Sequence, residues 1–266
     1  MSEFIPSFSG QKVLYPDPCD EARSIERDRS QPITLEGLLT HSAGAGYPFS
    51  DLRLAGYMSA PGKYPQGSVD AAFDFPLSYE PGMSWLYGNS MDRVGQVLRR
   101  ITGKDLEQLF DEGIFKPLGI TKASFWDLPH PPMAVRNKPG DCAVPDSTAH
   151  SYTRGNTEPF GGQGLLMSVK DFMKVLRSLL RDDGVLLKSE SVCLLFEPRL
   201  GPEPRIGLLK QLQSPGWAVG DLPPTGEYDW SIGGLVIAGD SHPYRRRGTV
   251  LWSGAPSCFW VSFLEI

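Results

Sequence analysis

Tyr87 and Asn89 stand two residues apart, directly before a stretch with helical periodicity. A phenol held at a helix mouth can face a cleft while the helix fixes its direction, which suits a group that passes a proton to or from a reacting centre. The same pair also reads as a packing aromatic and a helix N-cap. A second polar group, His41, Ser42 and Tyr47, falls in THSAGAGY, where glycines are expected to interrupt a helix and expose a loop. A serine and a lysine in the spacing S-x-x-K occur as Ser9, Gly10, Gln11 and Lys12. With Pro6 before it, Pro16 after it and Gly10 within it, a buried helix start is not expected there.

Other chemistries lack their signatures. The sequence has no G-x-S-x-G elbow, no G-x-x-x-x-G-K-[ST] loop and no G-x-G-x-x-G after a strand. His41, His130, His150 and His242 show no metal-ligand spacing, and Cys19, Cys142, Cys193 and Cys258 form no CxxC pair.

The elements that would position Tyr87 lie between Tyr79 and Ile120. Pro81 and Gly82 make a turn; Met91, Val94, Val97, Leu98 and Ile101 fall on one helical face; Gly103 is a cap, and Asp105–Phe115 reads as a second helix. Upstream, residues 1–31 read as loop-rich, Ile33–Leu39 as a short helix capped by Thr34 with Leu35, Leu38 and Leu39 inward, and Val69–Phe73 as a weak helix. Ala123–Glu158 reads as irregular. The turn FGGQG leads to a helix capped by Ser168 with Phe172, Val175, Leu176 and Leu179 on its apolar face, and Ser189–Phe196 as another. Strands are expected over Trp217–Asp221, Tyr228–Ala238, Thr249–Ser253 and Cys258–Leu264.

At 266 residues and a net charge of -5, the chain is long enough for a sizeable core and gives no electrostatic case for nucleic acid or anionic membrane as partner. The beginning, MSEFIPSFSG, lacks a signal-peptide pattern and no apolar run reaches bilayer length, so a cytoplasmic protein is expected. The basic run Arg245–Arg247 reads as a solvated turn.

LLTHSAGAGY at 38–47, YGN at 87–89, FGGQGLLMS at 160–168 and WSGAP at 252–256, in this order, resemble the beta-lactamase-related serine hydrolases. That family includes class C beta-lactamases, penicillin-binding carboxypeptidases, family VIII-type esterases and fungal acyltransferases acting on polyketides. The resemblance implies one α/β (α+β) domain over 1–266, with an antiparallel sheet at 217–266, a mainly helical region at 33–200 and a cleft between them. It implies that Tyr87 moves a proton between a nucleophilic serine and the leaving group, with Asn89 beside it and Tyr47 as a second active-site tyrosine. Trp252, Ser253 and Gly254 match the strand motif that is K-T-G in beta-lactamases. The backbone N–H of Ala255 would be an oxyanion donor, and Gly162 in the glycine turn would line the substrate site. Tryptophan in place of the lysine removes the cation that would meet a beta-lactam carboxylate. The implied substrate is instead a small-molecule ester or thioester of a secondary metabolite, with a carrier-bound acyl donor among the candidates, and no metal or organic cofactor.

In this family the S-x-x-K motif opens a long helix and its serine is the nucleophile that the lysine helps deprotonate, whereas EFIPSFSGQKVL resembles a segment that follows it, so Ser9 is not read as the nucleophile. The chain is therefore expected to begin downstream of the nucleophile and to end before the last strand, leaving either an inactive acyltransferase or esterase, or a pseudoenzyme that binds an acyl ligand or a protein partner.

Overall fold

The computed structural model describes residues 1–57, 67–126, 133–135, 144–146, 155–213, 222–254 and 258–262, with 133–135 and 144–146 described by their backbone. Pro6 opens a 3-10 turn, Pro6–Gly10, and the chain then forms an antiparallel hairpin from β1 (Lys12–Asp17) and β2 (Asp20–Asp28). The loop-rich reading of residues 1–31 is thus corrected. Pro16 is tolerated because it sits at the register irregularity next to the turn, where its missing N–H costs least. The far end of the hairpin is tied down by the buried Glu80, whose carboxylate accepts the amides of Ser30 and Gln31 and the Tyr15 hydroxyl.

Helix α1 (Leu35–Leu39) begins where Thr34 accepts from Gly37 N at 2.9 Å. Leu38 is buried, but Leu35 is 44% exposed, so only part of the expected inward face packs. After α2 (Val69–Ala72), capped by Ser68, helix α3 (Ser90–Thr102) runs to Gly103, whose left-handed conformation ends it. Its buried face departs from the expected stripe. Asp92, Arg93, Gly95 and Val97 are buried, while Leu98 and Ile101 are exposed at 39% and 62%. Partners supplied from elsewhere in the chain outweigh the local apolar period: Arg93 donates to Asp70 at 2.6 Å and to the Phe73 carbonyl at 2.8 Å. Helix α4 (Leu106–Phe110) starts in an Asp105–Gln108 capping box and continues as a π turn over Asp111–Phe115.

Short ladders follow. β3 (Ala123–Ser124) pairs with a later two-residue strand, Leu166–Met167, while β4 (Met133–Val135) pairs with β5 (Val144–Asp146) inside the stretch read as irregular. β6 (Leu166–Met167) leads into α5 (Val169–Arg181), capped by Ser168 as expected; α6 (Ser189–Leu194) and α7 (Pro202–Gln211) come next. Helix α7 has no counterpart in the sequence reading. Two prolines in its first turn disguise it, although that turn is where proline is tolerated.

The main sheet is antiparallel, in the order β10-β9-β8-β7, built from β7 (Tyr228–Trp230), β8 (Leu235–Ile237), β9 (Val250–Gly254) and β10 (Cys258–Ser262). The single strand expected at Tyr228–Ala238 is a hairpin. Ser231 N donates to Gly234 O at 2.9 Å and the Ser231 hydroxyl accepts from Gly233 N, which folds the chain back between β7 and β8. Residues 217–221 lie outside the described residues.

Three apolar clusters hold these layers. The first joins the hairpin and α1 through Phe8, Val13, Leu38 and Leu77; the second joins α7 to the sheet through Trp85, Leu208, Trp230 and Leu251. The third gathers Tyr47, Leu54, Phe73 and Phe160. Tyr87 packs against the second and the third, so it lies on the seam between sheet and helical region. Among the described residues, no helix is long and apolar enough to cross a membrane.

Candidate active site

The segment before α3 is pinned on both sides of Tyr87. Trp85 is fully buried against Trp230 of β7, with ring centroids 5.1 Å apart, and α7 presses on it so closely that a Cβ at Gly207 would lie 2.5 Å from Trp85 N. Two residues beyond Tyr87, the Asn89 side chain donates to Gly46 O at 2.8 Å instead of capping α3. Gly88 lies flat on the 45–46 backbone, since a Cβ there would be 2.0 Å from Ala45 O. Tyr87 thereby has little freedom at its Cα, as a proton-handling phenol requires.

Its ring is surrounded by aromatic groups. His41 lies 4.9 Å away, Tyr47 5.7 Å in a T-shaped arrangement, and Trp252 of β9 4.9 Å. β8 pairs with β9 at Val250 and Leu251, so Trp252, Ser253 and Gly254 run past it toward this seam. The Trp252 indole N–H donates to the Tyr87 hydroxyl. Burial raises the Tyr87 phenol above its ordinary range, and the Trp252 hydrogen bond opposes that rise.

Tyr47 behaves differently. Its hydroxyl donates to Asp92 Oδ2 at 2.9 Å, and burial, followed by the charge of Asp92, pushes its phenol well above the usual range. The other oxygen of Asp92 accepts from Gly162 N at 2.9 Å. Burial raises the Asp92 carboxyl to about 6, against the pull of the Gly162 amide, the Tyr47 hydroxyl and Arg93. His41 is neutral, its pKa brought down to about 3 by burial, and its Nδ1 is buried without a hydrogen-bond partner among the described residues.

Tyr47, Tyr87, Asn89, Gly162 and Trp252, singled out from sequence, therefore converge, with Ser253 and Gly254 on the adjoining strand; Ala255 lies outside the described residues. The loop bearing His41, Ser42 and Tyr47 is not exposed, as the sequence reading had it. All three are buried, because the 78–89 segment lies over them and hydrogen-bonds to the His41, Ser42 and Gly44 carbonyls. Asp92 and His41 carry no role in the sequence reading. An acid in the first turn of a helix reads as a complement to the helix dipole, and a histidine among glycines reads as a loop residue. Ser9 is exposed on the 3-10 turn, and the Lys12 ammonium, on β1, is bound by Asp28 at 2.5 Å.

An antiparallel sheet backed by helices, with a Y-x-N helix mouth set against a W-S-G strand, defines a fold of the serine beta-lactamase and penicillin-binding-protein type. The chain belongs to the Beta-lactamase family, which it matches over residues 11–262. It is 33% identical to the lovastatin esterase of Penicillium rubens, over 98% of this chain and 68% of that protein. To the ML-236A carboxylate methylbutanoyltransferase of Penicillium citrinum it is 32% identical, over 98% of this chain and 65% of that protein. Among solved structures, a simvastatin synthase variant from Aspergillus terreus superposes with a TM-score of 0.83 at 32% identity, covering 98% of this chain and 64% of that one. The chain thus spans about two thirds of the length of these relatives.

Proposed function

We propose that this site accommodates the acyl group of a small-molecule ester or thioester of a secondary metabolite, in the manner of an acyltransferase or esterase that works through an acyl-serine, with Tyr87 as the proton carrier. The observation that carries this reading is the contrast between the two phenols. Burial raises both phenols, but Tyr87 receives an N–H from Trp252, which opposes the rise, whereas Tyr47 donates to a carboxylate, which adds to it. Of the two phenols Tyr87 is therefore the one that gives up its proton more readily, so we assign it the proton transfer and read Tyr47 as a wall. The aromatic lining suits a neutral acyl chain, the relative named a lovastatin esterase supports an ester, and the relative named for methylbutanoyl transfer supports a branched aliphatic acyl group. A carrier-bound thioester is a second form of the same donor. The end of β9, Trp252–Gly254, would face the developing oxyanion.

This chain by itself, on our reading, binds without turning over. Its one S-x-x-K string places Ser9 in solvent and Lys12 against Asp28, so neither the burial nor the lysine that activates a nucleophile is present there. The test is incubation with p-nitrophenyl methylbutanoate and, separately, with a fluorophosphonate probe. Release of p-nitrophenol no faster than in buffer, and no adduct on Ser9, are expected. Stoichiometric labelling of Ser9 together with turnover that Ser9→Ala abolishes would overturn the binding-only reading.

A further inference from the structure

We infer that Asp92 is the positioning residue of this site: by accepting the Tyr47 hydroxyl and the Gly162 amide together, it locks two walls of the site against the first turn of α3, directly after the segment that bears Tyr87, and it commits the Tyr47 proton so that proton transfer falls to Tyr87. The purpose assigned to the clamp rests on the acyl-ester reading, whereas its geometry does not.

Three segments meet at this carboxylate. Tyr47 stands 45 positions before Asp92 and Gly162 stands 70 after it, so no local structure brings them together. The glycine turn is shaped to the pair: a Cβ at Gly162 would lie 2.7 Å from both Asp92 Oδ2 and the Tyr47 hydroxyl, and one at Gly161 would lie 2.3 Å from Met91 O. Stabilising the start of α3 would not require such burial, because an exposed acid in the first turn interacts with the helix dipole equally well. Asp92 is 0% exposed, and an ionised carboxylate is costly to bury without several donors. Such a site is kept where geometry must be fixed to a fraction of an ångström.

Among the described residues, the charged or titratable groups facing Asp92 are Tyr47 from the 41–47 segment, Tyr87 from the segment before α3, and its neighbour Arg93, whose guanidinium is turned to Asp70 on α2. Protonating Asp92 removes the charge that holds the Tyr47 proton and draws in the Gly162 amide. The walls should therefore loosen as the carboxyl is neutralised.

The deciding experiment uses the whole chain labelled with 13Cζ-tyrosine and needs no ligand. Of the nine tyrosines, the Tyr47 signal is assigned by its loss in Tyr47→Phe. In the wild-type protein it is expected to shift in one titration step near pH 6. In Asp92→Asn that step should vanish, and the affinity for p-nitrophenyl methylbutanoate at pH 7.5 should fall on the order of tenfold, as expected for a displaced positioning group. A flat Tyr47 signal in the wild-type protein overturns the proposal even if Asp92→Asn fails to fold, and so does a step that persists in that variant. Loss of ester binding in the wild-type chain, with the Tyr47 step intact, would overturn the acyl-ester reading and leave the clamp standing.

Discussion

Tyr47 and Tyr87 meet edge to face at 5.7 Å, yet their hydroxyls are held in opposite senses, the first donating to Asp92 and the second receiving from Trp252. Removing one hydroxyl should therefore differ from removing the other. Tyr87→Phe withdraws the acceptor from the Trp252 indole and places the loss at the seam, while Tyr47→Phe leaves Asp92 with an unmatched oxygen. Each is expected to destabilise the fold by about 1–3 kcal/mol through the orphaned partner. Only Tyr47→Phe should change the pH dependence of stability between pH 4 and 7, since Asp92 titrates in that range. Urea unfolding at several pH values separates them, and equal pH profiles for the two variants would contradict this assignment of partners.

The buried carboxylate sets a sign. Asp92 ionises near 6 in the fold, above its ordinary value of 3.8, so between these pH values the folded chain holds one more proton than the unfolded chain. Its contribution to stability is therefore greatest below pH ~4, falls as pH rises and is level above pH ~6, a loss on the order of 3 kcal/mol. Measured against Asp92→Asn, the wild-type free energy of unfolding should decline over that window; a difference that is constant with pH would contradict the burial.

His41 acts with the opposite sign. Burial holds its pKa at about 3 against an ordinary 6.5, so the unfolded chain takes up the extra proton. That contribution is fully present above pH ~6.5 and is lost as pH falls toward ~3. Its backbone is left-handed, with φ of 56°, which asparagine adopts readily, so His41→Asn is the suitable variant. The wild-type protein should lose stability on acidification more steeply than His41→Asn. Parallel profiles would show that the imidazole is solvated.

Close backbone contact makes a steric prediction. A Cβ at Gly88 would lie 2.0 Å from Ala45 O and 2.5 Å from Gly46 Cα, with no flexible side chain to yield. Gly88→Ala should cost about 3 kcal/mol or more, whereas Gly10→Ala, with open space around it, should cost less than about 0.5 kcal/mol. Comparable midpoints for the two in urea would refute the contact between the 41–46 and 84–89 segments.

Glu80 offers a local test of the hairpin. Its carboxylate accepts Ser30 N at 3.0 and 3.1 Å, Gln31 N at 3.0 Å and the Tyr15 hydroxyl at 2.9 Å. Glu80→Gln is expected to cost about 2 kcal/mol and to speed amide exchange at Ser30 and Gln31 before the rest of the chain. Unchanged protection of those amides would contradict the tie.

Much of the site was legible because family motifs carry its walls: Y-x-N, the glycine turn and W-S-G name Tyr87, Asn89, Gly162 and Trp252 directly. Asp92 and His41 escaped for a physical reason. What distinguishes them is burial beside residues far away in the chain, Tyr47 and Gly162 for Asp92 and Trp85, Tyr87 and Trp230 for His41, which no local period displays. The same cause misdirected α3, where Leu98 and Ile101 continue an apolar stripe that the fold leaves outside while Arg93 turns inward to Asp70. In the N-terminal hairpin, charge and Pro16 masked strand character, since β2 is short of apolar residues and gains its order from pairing with β1. In α7 the prolines hid a helix whose Leu208 and nearby Leu212 seat it on the sheet.

The most direct test of the acyl-ester site is a titration of the whole chain with p-nitrophenyl methylbutanoate, followed by quenching of tryptophan fluorescence. Trp252 packs on Tyr87, and Trp230 lies 4.6 Å from Trp252, so an occupant of the seam must perturb both. Saturable quenching that Trp252→Phe largely removes, while the fold is retained, is the predicted result. Quenching that does not saturate, or that is unchanged in Trp252→Phe, would contradict an acyl-ester site between Tyr87 and β9.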